Sequence, residues 1–154
     1  TMSVCQLRPE SRGTVRIRSA DPFDAPSMRP LYLSSVTDQK CAVAGVRLAR
    51  TLAATQALKP YIAEEYRPGP SAVTDDDLLE FARNHGATIF HPSGTCKMGS
   101  DPMAVVDARL RVHGLARLRV VDCSIMPTLT SGNTHAPAVM IAEKASDLIL
   151  EDAR

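Results

Sequence analysis

Tryptophan is absent from the 154-residue chain, and aromatic residues make up only 4% of it. Base-stacking platforms need several aromatic side chains, so no nucleic-acid partner is expected. Neither sign of charge prevails: 18 Lys and Arg stand against 17 Asp and Glu, a formal net charge of +1. No long-range field draws such a chain to nucleic acid or to an anionic membrane. No apolar run reaches the length of a membrane span. The opening stretch, residues 1–12, is polar and lacks the apolar centre of a signal peptide. It starts on Thr1 rather than Met and reads as mid-sequence. Cysteine is sparse: Cys5, Cys41, Cys96 and Cys123 form no Cys-x-x-Cys pair. That excludes the common zinc and thioredoxin-like arrangements. His85, His91, His113 and His135 do not fall at metal-ligand spacing, so no catalytic metal is expected. A chain of this size needs no disulfide staples, which points to a reducing, cytoplasmic setting.

What is present is ordinary globular composition, 44% hydrophobic and 23% charged, enough to bury one core. Residues 14–18 alternate polar and apolar and read as a short strand. Pro22, Pro26 and Pro30 make residues 19–33 extended or turning chain, not helix. Ser35 followed by Asp38 resembles a capping box, and Ala42, Val46, Ala49 and Ala53 recur at helical spacing. A helix over 38–58 is expected. A second helix starts at 74–77, where three aspartates suit the positive end of the helix dipole, and it ends at Gly86. Residues 87–90, 110–112 and 118–121 read as short strands, the last two joined by a turn at His113 and Gly114. A last helix starts near Pro137 and buries Ile141, Ala142, Ala145, Leu148 and Ile149. Strands and helices do not alternate regularly, so the class is α+β rather than a doubly wound sheet.

Two clusters could carry chemistry. The first is His91-Pro-Ser-Gly-Thr-Cys-Lys-Met-Gly99, a histidine shown on a Pro/Gly loop after a strand. Such loops are where catalytic groups are commonly displayed. For an isolated histidine, though, the simpler reading is a turn shaped by Pro92, Gly94 and Gly99. The second cluster runs from Arg119 through Asp122 and Cys123 to Pro127, then Ser131-Gly-Asn-Thr-His-Ala-Pro137. Here a strand delivers Asp122, a polar loop follows, and a helix begins. Its unpaired N–H groups, beside Asn133 and His135, suit an electron-rich group. Asn133 or Thr134 can equally serve as the helix cap, and both readings can hold together.

Residues 91–99, 114–127 and 132–144 together resemble the C-terminal signature regions of glucose–methanol–choline (GMC) oxidoreductases. Within that family, choline dehydrogenase and related alcohol dehydrogenases look most similar. Residues 11–22 also resemble the segment leading into that family's substrate domain, so the resemblance spans nearly the whole chain.

The resemblance implies a fold and a chemistry. It makes residues 1–85 the C-terminal part of a substrate-binding domain and residues 86–154 the completion of an FAD-binding domain. The implied fold is mixed or antiparallel strands packed with about three helices, incomplete relative to the full family. His91 stands where the family places a general base that takes the proton of an alcohol, while hydride passes to the flavin. An imidazole suits the task because its ordinary pKa lies near neutrality. The second member of the catalytic pair falls on Asn133, whose amide would hold the substrate oxygen. His135, two residues on, is the competing candidate; family members similar to choline dehydrogenase often carry Asn there, and this chain departs from them. Asp122 and Cys123 match the passage beside the flavin's ribityl–pyrophosphate region. Cys123 replaces a smaller Ala or Gly. Thr134, His135 and Ala136 match backbone near the isoalloxazine ring. Phe90 lines the substrate pocket or is an ordinary buried strand residue. Cys96 matches a family cysteine and reads as packing.

No G-x-G-x-x-G occurs in the chain, so the turn that would bring backbone to the FAD pyrophosphate is missing. The expectation is a chain that holds the base but not the main cofactor grip, and is inactive in isolation. Its partners would be a small alcohol and the missing N-terminal part of the same protein. Exposed apolar surface would favour homo-oligomers. The final acceptor could be oxygen or a quinone, and a quinone would bring membrane association. The competing reading is a non-catalytic interaction module that reuses this fold.

Overall fold

The stretch broken by Pro22, Pro26 and Pro30 forms one side of a short hairpin. In the computed structural model, which describes residues 1–154, β1 (Thr14–Arg16) pairs antiparallel with β2 (Ser27–Arg29). Val15 lies opposite Met28. The expected strand over 14–18 is therefore shorter: pairing ends at Arg16, and Ile17 is left 89% exposed. A Cβ on Gly13 would stand 2.4 Å from the Arg29 carbonyl oxygen, so only glycine fits beside the turn of chain after β2.

α1 spans Val36–Ala53, capped by Ser35, whose hydroxyl accepts the Thr37 N–H. The expected box with Asp38 does not form. Asp38 is 3% exposed and turns to the N-terminal segment, where its carboxylate accepts N–H groups of Glu10 (2.9 Å) and Ser11 (2.7 Å). Burial pushes this carboxyl up, but those N–H groups outweigh it and hold it below the ordinary aspartate range. α1 also ends before the expected 58. The N–H and the hydroxyl of Thr55 both return to the Leu52 carbonyl, which a continuing helix would have needed for Gln56. A short 3₁₀ turn at Lys59–Tyr61 follows.

α2 (Asp75–His85) has a full capping box: Asp77 N–H donates to the Thr74 hydroxyl, and Thr74 N–H donates to the Asp77 carboxylate. Gly86 follows its last turn, as expected. α1 and α2 pack together, and Leu78 of α2 is wholly buried. Arg50 laces the intervening loop by donating to Glu65, Gly69 O and Ala72 O.

The chain divides into two compact units, Thr1–Thr88 and Ile89–Arg154. No strand or bridge forms at 87–90, where one was expected. In the second unit, the expected strands at 110–112 and 118–121 reduce to the isolated bridges Val106–Val112 and Arg111–Arg119, beside a further bridge, Met98–Val106. Phe90, Leu110 and Arg117 have φ near +60°, and Gly114 has φ +77°. The chain turns every few residues, so no ladder grows beyond one pair. α3 (His135–Asp152) begins two residues before Pro137. That puts proline in the first turn, where a missing N–H breaks no intrahelical bond. Ile141, Ala145 and Leu148 are buried, but Ala142 and Ile149 of the expected stripe face outward. The core joins Ile141 and Ala145 to Val106, Leu110, Ile125 and Met126. Asp152 anchors the far end of α3 by accepting from Arg109 and Arg119, and Arg109 also reaches Leu148 O. No helix is long and apolar enough to cross a membrane, and all four cysteines are free. Three helices and one small antiparallel sheet make this an α+β chain.

Candidate active site

The His91 loop is positioned by strain and by lacing. Phe90, at φ +62°, turns the chain so that His91 points inward and becomes half-buried while Phe90 remains 80% exposed. Phe90 is thus not a buried strand residue. Gly94 sits at φ +84°, and a Cβ there would lie 3.3 Å from Met126 O. Two backbone bonds stitch this loop to the second cluster, Cys96 N–H to Ser124 O (3.0 Å) and Met98 N–H to Ile125 O (2.7 Å). The two sequence clusters are therefore neighbours in space.

In the second cluster, Asp122 caps a 3₁₀ turn at Cys123–Ile125 and accepts the Ser124 N–H at 2.7 Å. One carboxylate oxygen of Asp122 thus serves its own backbone. Thr134 occupies the N-cap position of α3, 8% exposed, yet makes no capping bond. An N-cap hydroxyl usually accepts from the second or third helical residue. Here the third is Pro137, which has no N–H. The Thr134 hydroxyl instead meets His91 Nδ1 at 2.8 Å. The Cys123 thiol donates to Thr134 O at 3.7 Å. His91 Nε2 has no partner within the chain.

A groove of about 390 Å³ opens beside these residues. Phe90, Asp122, Cys123 and Thr134 line it, with Pro92, Ser93, Thr95, Ser124 and Ala138. His91 is not part of its wall, although both its chain neighbours are. Asn133, His135 and Ala136 are exposed at the start of α3 and do not line it. Ser93, Thr95, Ser124 and Ala138 were not singled out from the sequence, where nothing distinguishes them. The Thr134–His91 bond did leave a trace there: Pro137, three residues after Thr134, removes one of the two donors a capping hydroxyl can use. Another depression, about 510 Å³, lies over the start of α2 among Asp76, Asp77, Glu80 and Arg83 and contains none of the predicted residues. His85 bonds to Phe81 O and His113 to Gly99 O, both on the surface. No three His, Cys, Asp or Glu side chains converge as metal ligands.

A family model described as GMC oxidoreductase matches residues 9–142. The chain belongs to the GMC oxidoreductase family. An alcohol dehydrogenase [acceptor] of Pseudomonas putida is 44% identical over 97% of this chain and 27% of its own length. An oxygen-dependent choline dehydrogenase of Staphylococcus aureus is 49% identical over 90% of this chain and 25% of its own. Among solved structures, pyridoxine 4-oxidase from Mesorbium loti superposes with a TM-score of 0.86 at 38% identity, covering 92% of this chain and 28% of the other. A fungal aryl-alcohol oxidase gives 0.85 at 36% identity, covering 95% and 24%. The chain thus spans about a quarter of the length of these relatives, and it corresponds to the family's C-terminal part. GMC oxidoreductases are FAD flavoproteins.

In the groove wall, Cys123 and Ala138 are small enough to admit a flat ring. The chain contains no glycine-rich dinucleotide turn.

Proposed function

We propose that this chain carries the proton-abstracting part of an FAD-dependent oxidoreductase acting on alcohols, of the choline-dehydrogenase-like kind. The observation that carries the reading is His91 itself. It is half-buried, held by one ring nitrogen, and displayed on a loop laced to the groove. FAD, when bound, supplies the acceptor for the hydride that leaves the carbinol carbon. His91 Nε2 takes the hydroxyl proton of the alcohol. Asn133 holds the substrate oxygen, in preference to His135. Phe90 presents an apolar wall to the substrate, and Asp122, Cys123, Thr134, His135 and Ala136 face the flavin.

The remaining grip on FAD comes from a dinucleotide-binding part not contained in this sequence, and the isolated chain is inactive. α3 supports this dependence. Besides its buried stripe it exposes Val139, Met140, Ile149 and Leu150. A helix apolar around most of its circumference is one that is covered on more than one side.

The test is a chimera in which this chain replaces the corresponding C-terminal quarter of the Pseudomonas putida relative. The chimera is expected to retain FAD and to oxidise alcohols with an artificial dye acceptor. His91→Ala should lower kcat/KM by roughly 10²- to 10⁴-fold without loss of FAD. A chimera that keeps FAD and loses no activity with His91→Ala refutes the assignment of the base. Titrating FAD into the chain alone should give neither tight binding nor bleaching by an alcohol; seeing both would show that the dependence on a second part is wrong.

A further inference from the structure

We propose that Thr134 is the positioning residue for His91. Its hydroxyl oxygen accepts the Nδ1–H of His91 and fixes the imidazole in the tautomer whose lone pair is on Nε2. The inference deepens the reading of His91 as the base and rests on it for its purpose, while its principal measurement does not.

Four observations converge. The Oγ1 to Nδ1 distance is 2.8 Å, between residues 43 positions apart. Thr134 is 8% exposed, so water competes little for this bond. Its hydroxyl makes no capping bond, and the third helical residue, Pro137, offers no N–H to compete for it. Its backbone is held in place, because Thr134 O accepts both the Ala138 N–H at 2.9 Å and the Cys123 thiol at 3.7 Å. Thr134 is therefore a fixed post with one hydroxyl directed at one ring nitrogen.

The chemistry follows from the two nitrogens of a neutral imidazole, one a donor and the other an acceptor. If Nδ1 donates to Thr134, Nε2 carries the lone pair and can take a proton. If the hydroxyl donated to Nδ1, the ring proton would sit on Nε2 and the ring could not act as a base there. A threonine oxygen is neutral, so it orients the ring without the charge with which a carboxylate partner would stabilise the imidazolium. Its loss should therefore cost far less than the roughly 10⁴-fold seen when a charged partner in a hydrolase triad is neutralised. About 5- to 30-fold in kcat, with KM little changed, is the expected scale for one lost neutral hydrogen bond and a disordered ring.

The experiment is long-range proton–nitrogen NMR of the histidine-labelled 154-residue chain, with Thr134→Val and Thr134→Ser beside it. The spectrum distinguishes the protonated from the bare ring nitrogen. In the parent chain His91 is expected as the Nδ1–H form. Thr134→Val should shift it toward the Nε2–H form that free imidazoles favour, and Thr134→Ser should restore the parent pattern. An Nε2–H form in the parent chain overturns the inference. So does an unchanged tautomer in a Thr134→Val chain whose circular dichroism is unaltered. In the chimera, the same pair should show loss in kcat with valine and rescue with serine; equal loss in both variants counts against it. An intact Nδ1–H form together with a His91→Ala chimera that keeps full activity would refute the base while leaving this tautomer assignment standing.

Discussion

Asp38→Asn tests how the first unit holds its N-terminal segment. The Asp38 carboxylate is almost fully buried and accepts two backbone N–H groups, from Glu10 and Ser11. A hydrogen bond to a charged group contributes about 1.5–3 kcal/mol net, so the pair contributes at most about 3–6 kcal/mol. The asparagine side chain keeps one acceptor oxygen and turns its NH₂ against the other N–H donor. Glu10 is exposed, so water can take over its N–H; Ser11 is partly buried and recovers less. The expected loss is therefore roughly 2–3 kcal/mol near neutral pH. Urea unfolding followed by far-UV circular dichroism should show a lower midpoint with an unchanged slope. Hydrogen exchange should quicken in residues 10–13. The pH dependence has a definite sign. The folded-state pKa is depressed, so the contribution is complete above the ordinary aspartate value of about 3.9 and is lost as pH falls through the lower folded value. Asp38→Asn should lack that acid-side loss. A destabilisation under about 0.5 kcal/mol, with exchange unchanged at 10–13, would refute the reasoning.

Two further outcomes are expected. Gly94→Ala forces a Cβ into a left-handed backbone position and against Met126 O, which should cost about 1–3 kcal/mol and slacken the His91 loop. Thermal unfolding measures the cost, and the NMR signals of His91 should broaden; an unshifted melting temperature would show that the loop bends elsewhere. The apolar side chains Val139, Met140, Ile149 and Leu150 on the outer side of α3 should make the isolated chain self-associate and bind an apolar dye. Sedimentation over a concentration series should show this, and Met140→Glu should reduce it; a monodisperse monomer that binds no dye rules it out.

The helices were largely legible in the sequence because their signals are local. Thr74 and Asp77 are three residues apart, and Ser35 borders the run it caps. The motif around His91 and the one from Asp122 to Pro137 were legible for a different reason. Each is a contiguous string, long enough to reveal the family without any knowledge of packing. What failed were inferences in which a residue's partner lies far along the chain. Asp38 sits where a capping box predicts a local bond, but it serves residues 27 and 28 positions earlier. Residues 110–112 and 118–121 have strand-forming side chains, but left-handed turns at Leu110 and Arg117 limit them to single bridges. The sequence by itself determined the helices, the turn-rich loops and the chemical repertoire, because these depend on hydrogen bonds and spacings within a few residues. Only the tertiary structure decided that Thr134 abandons its cap for His91, that Phe90 stands outward, and that the groove takes in Asp122 and Cys123 but not Asn133 or His135. Those outcomes depend on which distant backbone segments pair, and that is not written in any one stretch of chain.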